Sequence, residues 1–148
     1  MPKNPACGLS QTASLNALLE GVGVSKTSVI RVTGPGALPA LLWLCRHGYD
    51  QVGYMRAGEG CPHEDEPDAI VVAHTCDEVD LKRFLTVGRQ VRPGGVFIFQ
   101  LRLAANASTL GVDWLLEQSG FTTEQRFDGE RRALIVARRR TLAMRKAA

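Results

Sequence analysis

Apolar positions along this chain switch repeatedly between helical and extended spacing. Leu15, Leu18, Leu19 and Val22 recur at helical intervals behind candidate caps at Ser10 and Thr12, which predicts a helix over 10–21 stopped by Gly21 and Gly23. Ser28 to Val32 form a β-like run that enters Thr33-Gly34-Pro35-Gly36. Leu38, Leu41, Leu42 and Cys45 then give the next helix a sheet-facing side, with Pro39 placed in a first turn that does not need its missing N–H. That helix ends at His47-Gly48. A short strand over 51–55 follows, then a loop from Arg56 to Pro67 rich in glycine, proline and acid. Asp68 to Ala73 are a continuous apolar run suited to a strand covered on both faces. Val79, Leu81, Phe84, Leu85 and Val91 predict a helix over 77–91. A strand over 95–101, a helix near 107–119 and two strands over 122–127 and 132–138, turned at Asp128-Gly129, complete the order.

Strands alternating with helices predict an α/β fold with a mostly parallel sheet, and the Asp-Gly turn adds a terminal antiparallel hairpin. With 148 residues and 45% hydrophobic content the chain can bury one core. The expected organisation is an N-terminal helical segment over 1–27, the α/β domain over 28–138 and a basic tail over 139–148. No apolar run reaches the length of a membrane span, and Met1-Pro2-Lys3-Asn4-Pro5 leads into no signal-peptide core, so no membrane association and a cytoplasmic location are expected. The four cysteines then read as thiols or metal ligands before disulfides.

The formal charge of +3 conceals an asymmetry. Arg138, Arg139, Arg140, Arg145 and Lys146 all fall in the last eleven residues, and without them 13 bases face 15 acids. Nucleic acid is therefore a candidate partner through the basic tail, set against the plainer reading of a solvated terminus.

Three punctuation marks stand in one order: Thr33-Gly34-Pro35-Gly36 after the first strand, Arg92-Pro93-Gly94-Gly95 before the strand at 96, and Ser119-Gly120-Phe121 before the hairpin. In that order they resemble a class I S-adenosylmethionine (SAM) methyltransferase domain over residues 28 to 138. The resemblance implies a SAM site at Gly34, Gly36, Met55, Ala73, His74 and Thr75. It also exposes departures. The family's first strand ends in an acid followed by three alternating glycines; here the acid's position is Val32 and the third glycine's is Leu38. The acid that ends the second strand, a ribose ligand in the family, falls at Met55, and the nearest acid is Glu59. Twelve residues between Met55 and Asp68 are too few for the helix and third strand expected there. The preferred reading is a degenerate, non-catalytic domain used for protein interaction or regulation. The alternative is an active minimal methyltransferase with a rebuilt cofactor site.

One constellation lies outside that resemblance. All three histidines stand two residues from a cysteine: Cys45 with His47, Cys61 with His63, His74 with Cys76. Cys61, His63, His74 and Cys76 could together form a tetrahedral zinc site at the C-terminal edge of the sheet, although Cys-x-His is not an established zinc spacing and buried thiols are the plainer expectation. A Cys76 nucleophile with His74 as base ranks below both. Deleting the third strand should leave 51–55 as an edge strand, which predicts a homodimer paired across it.

Overall fold

The computed structural model describes residues 16–56, 66–102, 110–129 and 131–141. In chain order the elements are α1 (residues 16–21), β1 (Ile30–Thr33), α2 (Ala37–Arg46), β2 (Val52–Tyr54), β3 (Ala69–Cys76), α3 (Glu78–Gly88), β4 (Val96–Arg102), α4 (Leu110–Gln118), β5 (Phe121–Asp128) and β6 (Arg132–Arg139). They build one six-stranded sheet in the order β2-β1-β3-β4-β6-β5. Neighbours are parallel from β2 through β4, while β6 runs antiparallel to both β4 and β5. The expected α/β class with a terminal hairpin is therefore the observed one, and β2 is an edge strand among the described residues.

The sheet carries a core on each face because its central strands are apolar at consecutive positions. On one face Ile70, Val72, Phe97, Phe99 and Phe121 pack with Leu81, Phe84 and Leu85 of α3 and Leu116 of α4. On the other, Ile30, Val32, Val71 and Ile98 pack with Leu19 of α1 and with Ala37 and Leu44 of α2. Phe97 is fully buried, 5.1 Å from the ring of Phe99 and 5.8 Å from that of Phe121. Truncating such a ring to alanine costs about 3–5 kcal/mol. Helix α3 opens on a capping box: the Asp77 carboxylate accepts from the Asp80 amide at 2.8 Å, and the Asp77 amide donates to the Asp80 carboxylate at 3.4 Å.

The buried face of α2 differs from the expected one. Ala37 and Leu44 are buried and Ala40 and Leu41 partly so, whereas Leu38, Leu42 and Cys45 are exposed. The two sets are the same i, i+3, i+4, i+7 pattern displaced by one residue. In a helix reading ALPALLWLC nearly every position is apolar, so periodicity alone leaves the rotation open. Ala37 and Ala40 are the small residues on the side of α2 packed against the core.

The basic tail also begins later than expected. β6 continues to Arg139, and the arginines at 138–140 bond into the domain. Arg138 donates to both Glu124 carboxylate oxygens, at 2.6 and 2.8 Å, and to the Gly94 and Val22 carbonyls. Arg139 and Arg140 donate to the carbonyls of Val91 and Glu117. Arg145 and Lys146 lie outside the described residues.

The Pro-Gly-Gly turn has a steric cause. A Cβ on Gly95 would lie 2.7 Å from the Asp68 carbonyl oxygen and 2.6 Å from the Val91 side chain, so a larger residue would pry β4 from β3 where the pairing starts.

Candidate cofactor cleft

The strand order reverses between β1 and β3, and in open α/β sheets ligands sit beyond the C-terminal ends of the strands at such a point. β1 ends there in Thr33, and two glycines in the left-handed region follow, Gly34 at φ 93° and Gly36 at φ 81°. Gly36 is the N-cap of α2 and supplies no side-chain hydrogen bond. A cleft of about 280 Å³ opens at this turn, lined by Thr33, Gly34, Pro35, Tyr54, Arg83 and Phe84.

Two polar groups beside it are unsatisfied. Thr33 is fully buried and its hydroxyl has no hydrogen-bond partner. His74 Nδ1 is buried without a partner and lies 2.7 Å from the point a Cβ on Gly34 would occupy, while its ring meets Phe84 edge-on at 5.2 Å. Gly36 has open space at the same point. Gly34 therefore serves His74 packing as well as backbone conformation, and Gly36 serves conformation alone.

Of the six positions expected to hold a cofactor, Gly34 and Gly36 flank the first turn, while Met55 and Ala73 fall in opposite cores. Gly34 lines the cleft, and His74 packs behind it against Gly34 and Phe84. Met55 is buried in the core on the α3 face, and the second strand reaches the cleft through Tyr54 instead. Ala73 packs against the core on the α2 face. Val32, which holds the position of the family's acid, is fully buried in that same core. The cleft lining thus holds one cation, Arg83, and no carboxylate among the described residues. Arg83, on α3, was not legible as a lining residue, because sequence periodicity gives neither the rotation of α3 nor its distance from the first turn.

Of the zinc candidates, Cys61 and His63 lie outside the described residues. Cys76 is fully buried on the α3 face, and its thiol donates to the His74 carbonyl at 3.8 Å. Burial, reinforced by Asp80 and Asp77, pushes that thiol up to about 12, which suits neither a thiolate ligand nor a nucleophile. No group of three or more His, Cys, Asp or Glu among the described residues could hold a metal ion. His47 is engaged locally: its ring stacks on Trp43 at 4.0 Å and its Nδ1 lies 2.8 Å from the Trp43 carbonyl. No helix among the described residues is long and apolar enough to cross a membrane.

No protein-family model and no curated protein matches the chain. Solved structures do. An S-adenosylmethionine-dependent methyltransferase from Mesorhizobium loti superposes with a TM-score of 0.61 at 18% identity, covering 86% of this chain and 96% of the other. A ribosomal protein L11 methylase from Lactobacillus delbrueckii subsp. bulgaricus gives 0.64 at 13% identity, covering 95% and 91%. The fold is that of the class I methyltransferases. A magnesium protoporphyrin IX methyltransferase from Synechocystis, solved with bound SAM, matches with a TM-score of 0.57 at 12% identity over 87% of this chain and 78% of that one.

Proposed function

We propose that this methyltransferase-like domain is a degenerate, non-catalytic member of its fold class, acting through protein interaction or regulation. The observation that carries the reading is the cleft lining. A SAM methionine end brings an ammonium group beside a carboxylate, and the described walls offer Arg83 to the carboxylate but no acid to the ammonium, with Val32 buried where that acid is expected. An ammonium taken from water without a protein acid to pair with it disfavours binding. The cleft volume of about 280 Å³ also sits at the small end of ligand sites. Methyl transfer to another molecule requires SAM and an acceptor together, for which this space is short.

Calorimetric titration with SAM tests the reading. The expected dissociation constant is high micromolar to millimolar, or roughly −6 to −4 kcal/mol. Low-micromolar binding would overturn the degenerate cofactor site, and methyl transfer from labelled SAM to any acceptor would establish the active minimal enzyme instead. For the interaction role, self-association comes first: among the described residues β2 is an edge strand, Tyr54 on it is 51% exposed, and α2, which packs on β2, presents Leu38 and Leu42. Binding of nucleic acid through Arg145 and Lys146 is the weaker partner reading, since Arg138 to Arg140 are engaged with the domain. Salt-dependent retention on a polyanion column, with and without residues 142–148, checks it.

A further inference from the structure

We infer that the cleft beside Gly34 binds a small organic anion, a phosphate or carboxylate carried on a flat ring. The inference rests on the degenerate reading above, in that it assigns the cleft a ligand other than SAM. Charge sets the sign of the ligand. Arg83 is exposed, makes no ion pair among the described residues and is the sole charged group lining the cleft among them. Hydrogen-bonding capacity supplies a second and independent indication. Thr33 forms part of the lining, is wholly buried, and carries a hydroxyl with no partner. A buried hydroxyl left unpaired costs about 1–3 kcal/mol, so a bound acceptor to which it donates a hydrogen bond recovers what the empty cleft forgoes.

The α2 N-terminus adds to the same field. Its Gly36 cap gives no side-chain acceptor and its first turn contains no acid, so the amides that open the helix are not answered by a side chain of their own element. A ring is indicated by the flanks, since Tyr54 and Phe84 line the cleft and Tyr54 is half exposed. At about 280 Å³ the space suits one ring system with its anionic group rather than an extended cofactor.

Ligand-observed NMR and calorimetry on the full chain test this with four probes. AMP and benzoate carry a ring with a phosphate or a carboxylate, adenosine carries a ring without charge, and SAM is the comparator. At least one of the two anions should bind ten-fold or more tightly than adenosine, and whichever binds better names the anionic group. That preference should vanish in Arg83→Gln. Thr33→Val, close to isosteric, should weaken the anion about three- to ten-fold, while Arg89→Gln at the far end of α3 should leave it unchanged. Retention of the anion by Arg83→Gln, adenosine binding as well as AMP, or no saturation by either anion at about 5 mM would overturn the inference. Failure of the underlying reading is separately visible, because it shows as low-micromolar SAM binding, whereas failure of this inference alone shows as a cleft that takes neither SAM nor the anions.

Discussion

His74 fills the space that a β-carbon on Gly34 would need, with its Nδ1 2.7 Å from that point, so the end of β3 and the first turn after β1 exclude each other's growth. Gly34→Ala should therefore suffer twice. Its φ of 93° disfavours any side chain by about 1–2 kcal/mol, and the imidazole must also move. Gly36→Ala, at φ 81° but with open space, should lose only the first part. Urea unfolding of both variants and of Gly34→Ala with His74→Ala separates the contributions. A coupling energy of about 1 kcal/mol or more between positions 34 and 74 is expected, and additivity within about 0.3 kcal/mol would mean that the contact has no energetic weight.

Cys76 should be the unreactive thiol of the described pair, since Cys45 is exposed and Cys76 buried. Alkylation of the native protein with mapping by mass spectrometry should modify Cys45 and leave Cys76 until the chain unfolds. The pH dependence follows from the same burial. The thiol loses its proton near 9.0 when unfolded but only near about 12 when folded, so its contribution is complete below pH 9 and is lost as pH rises toward 12. Through that window stability should fall by up to about 1.4 kcal/mol per pH unit on this account. Cys76→Ala should show a shallower decline of urea midpoint between about pH 8 and about pH 10 than the parent. Equal slopes would contradict the buried proton.

Much of the fold was legible because its punctuation is steric. Gly95 has no room for a Cβ, Gly34 and Gly36 need the left-handed region, and the Asp128-Gly129 turn joins β5 and β6. Such demands act on single residues and show in the sequence. The site was less legible because it depends on rotation and register between elements. Met55 and Tyr54 are adjacent in sequence and opposite in role, one buried in core and the other lining the cleft, and a one-residue shift in a strand exchanges its faces. Leu38 and Leu42 on α2 were misassigned to the sheet for the same kind of reason, in a helix apolar on several sides. Arg83 reaches the cleft only through the packing of α3 on β3, for which no local pattern exists.

Arg138 ties three distant parts of the chain together. Its guanidinium pairs with Glu124 on β5 through both oxygens and also donates to the carbonyls of Val22, after α1, and Gly94, before β4. The Glu124 hydrogen bonds raise its pKa, so it stays charged at any working pH. Lysine keeps the charge but cannot reproduce four directed donors. Arg138→Lys should cost about 2 kcal/mol in urea unfolding, and Glu124→Gln less, because the two carbonyl bonds survive. A loss below about 0.5 kcal/mol for Arg138→Lys would show the cluster to be surface decoration.

Among the described residues, β2 forms one border of the sheet. Its inner side pairs with β1 through Ile30, Arg31 and Val32, and among the described residues no strand pairs with its outer side. Arg31 lies over Gly53, with Nη1 3.2 Å from the point where a Cβ would stand, so one face of the edge is already shielded by a charged side chain. The ring of Tyr54, half exposed, is not shielded in this way. A second copy rotated by a two-fold axis would pair β2 with β2 and bring the two Tyr54 side chains and the exposed Leu38 and Leu42 toward a shared border. Sedimentation at about tens of micromolar should then give a dimer, and Tyr54→Glu should give a monomer, because the apolar ring is lost and two carboxylates face each other across the axis. Thermal stability of the variant at low concentration should match the parent, since Tyr54 is half exposed in the single chain. A parent that sediments as a monomer would remove the dimer altogether, and a Tyr54→Glu variant that remains dimeric would move the interface away from β2.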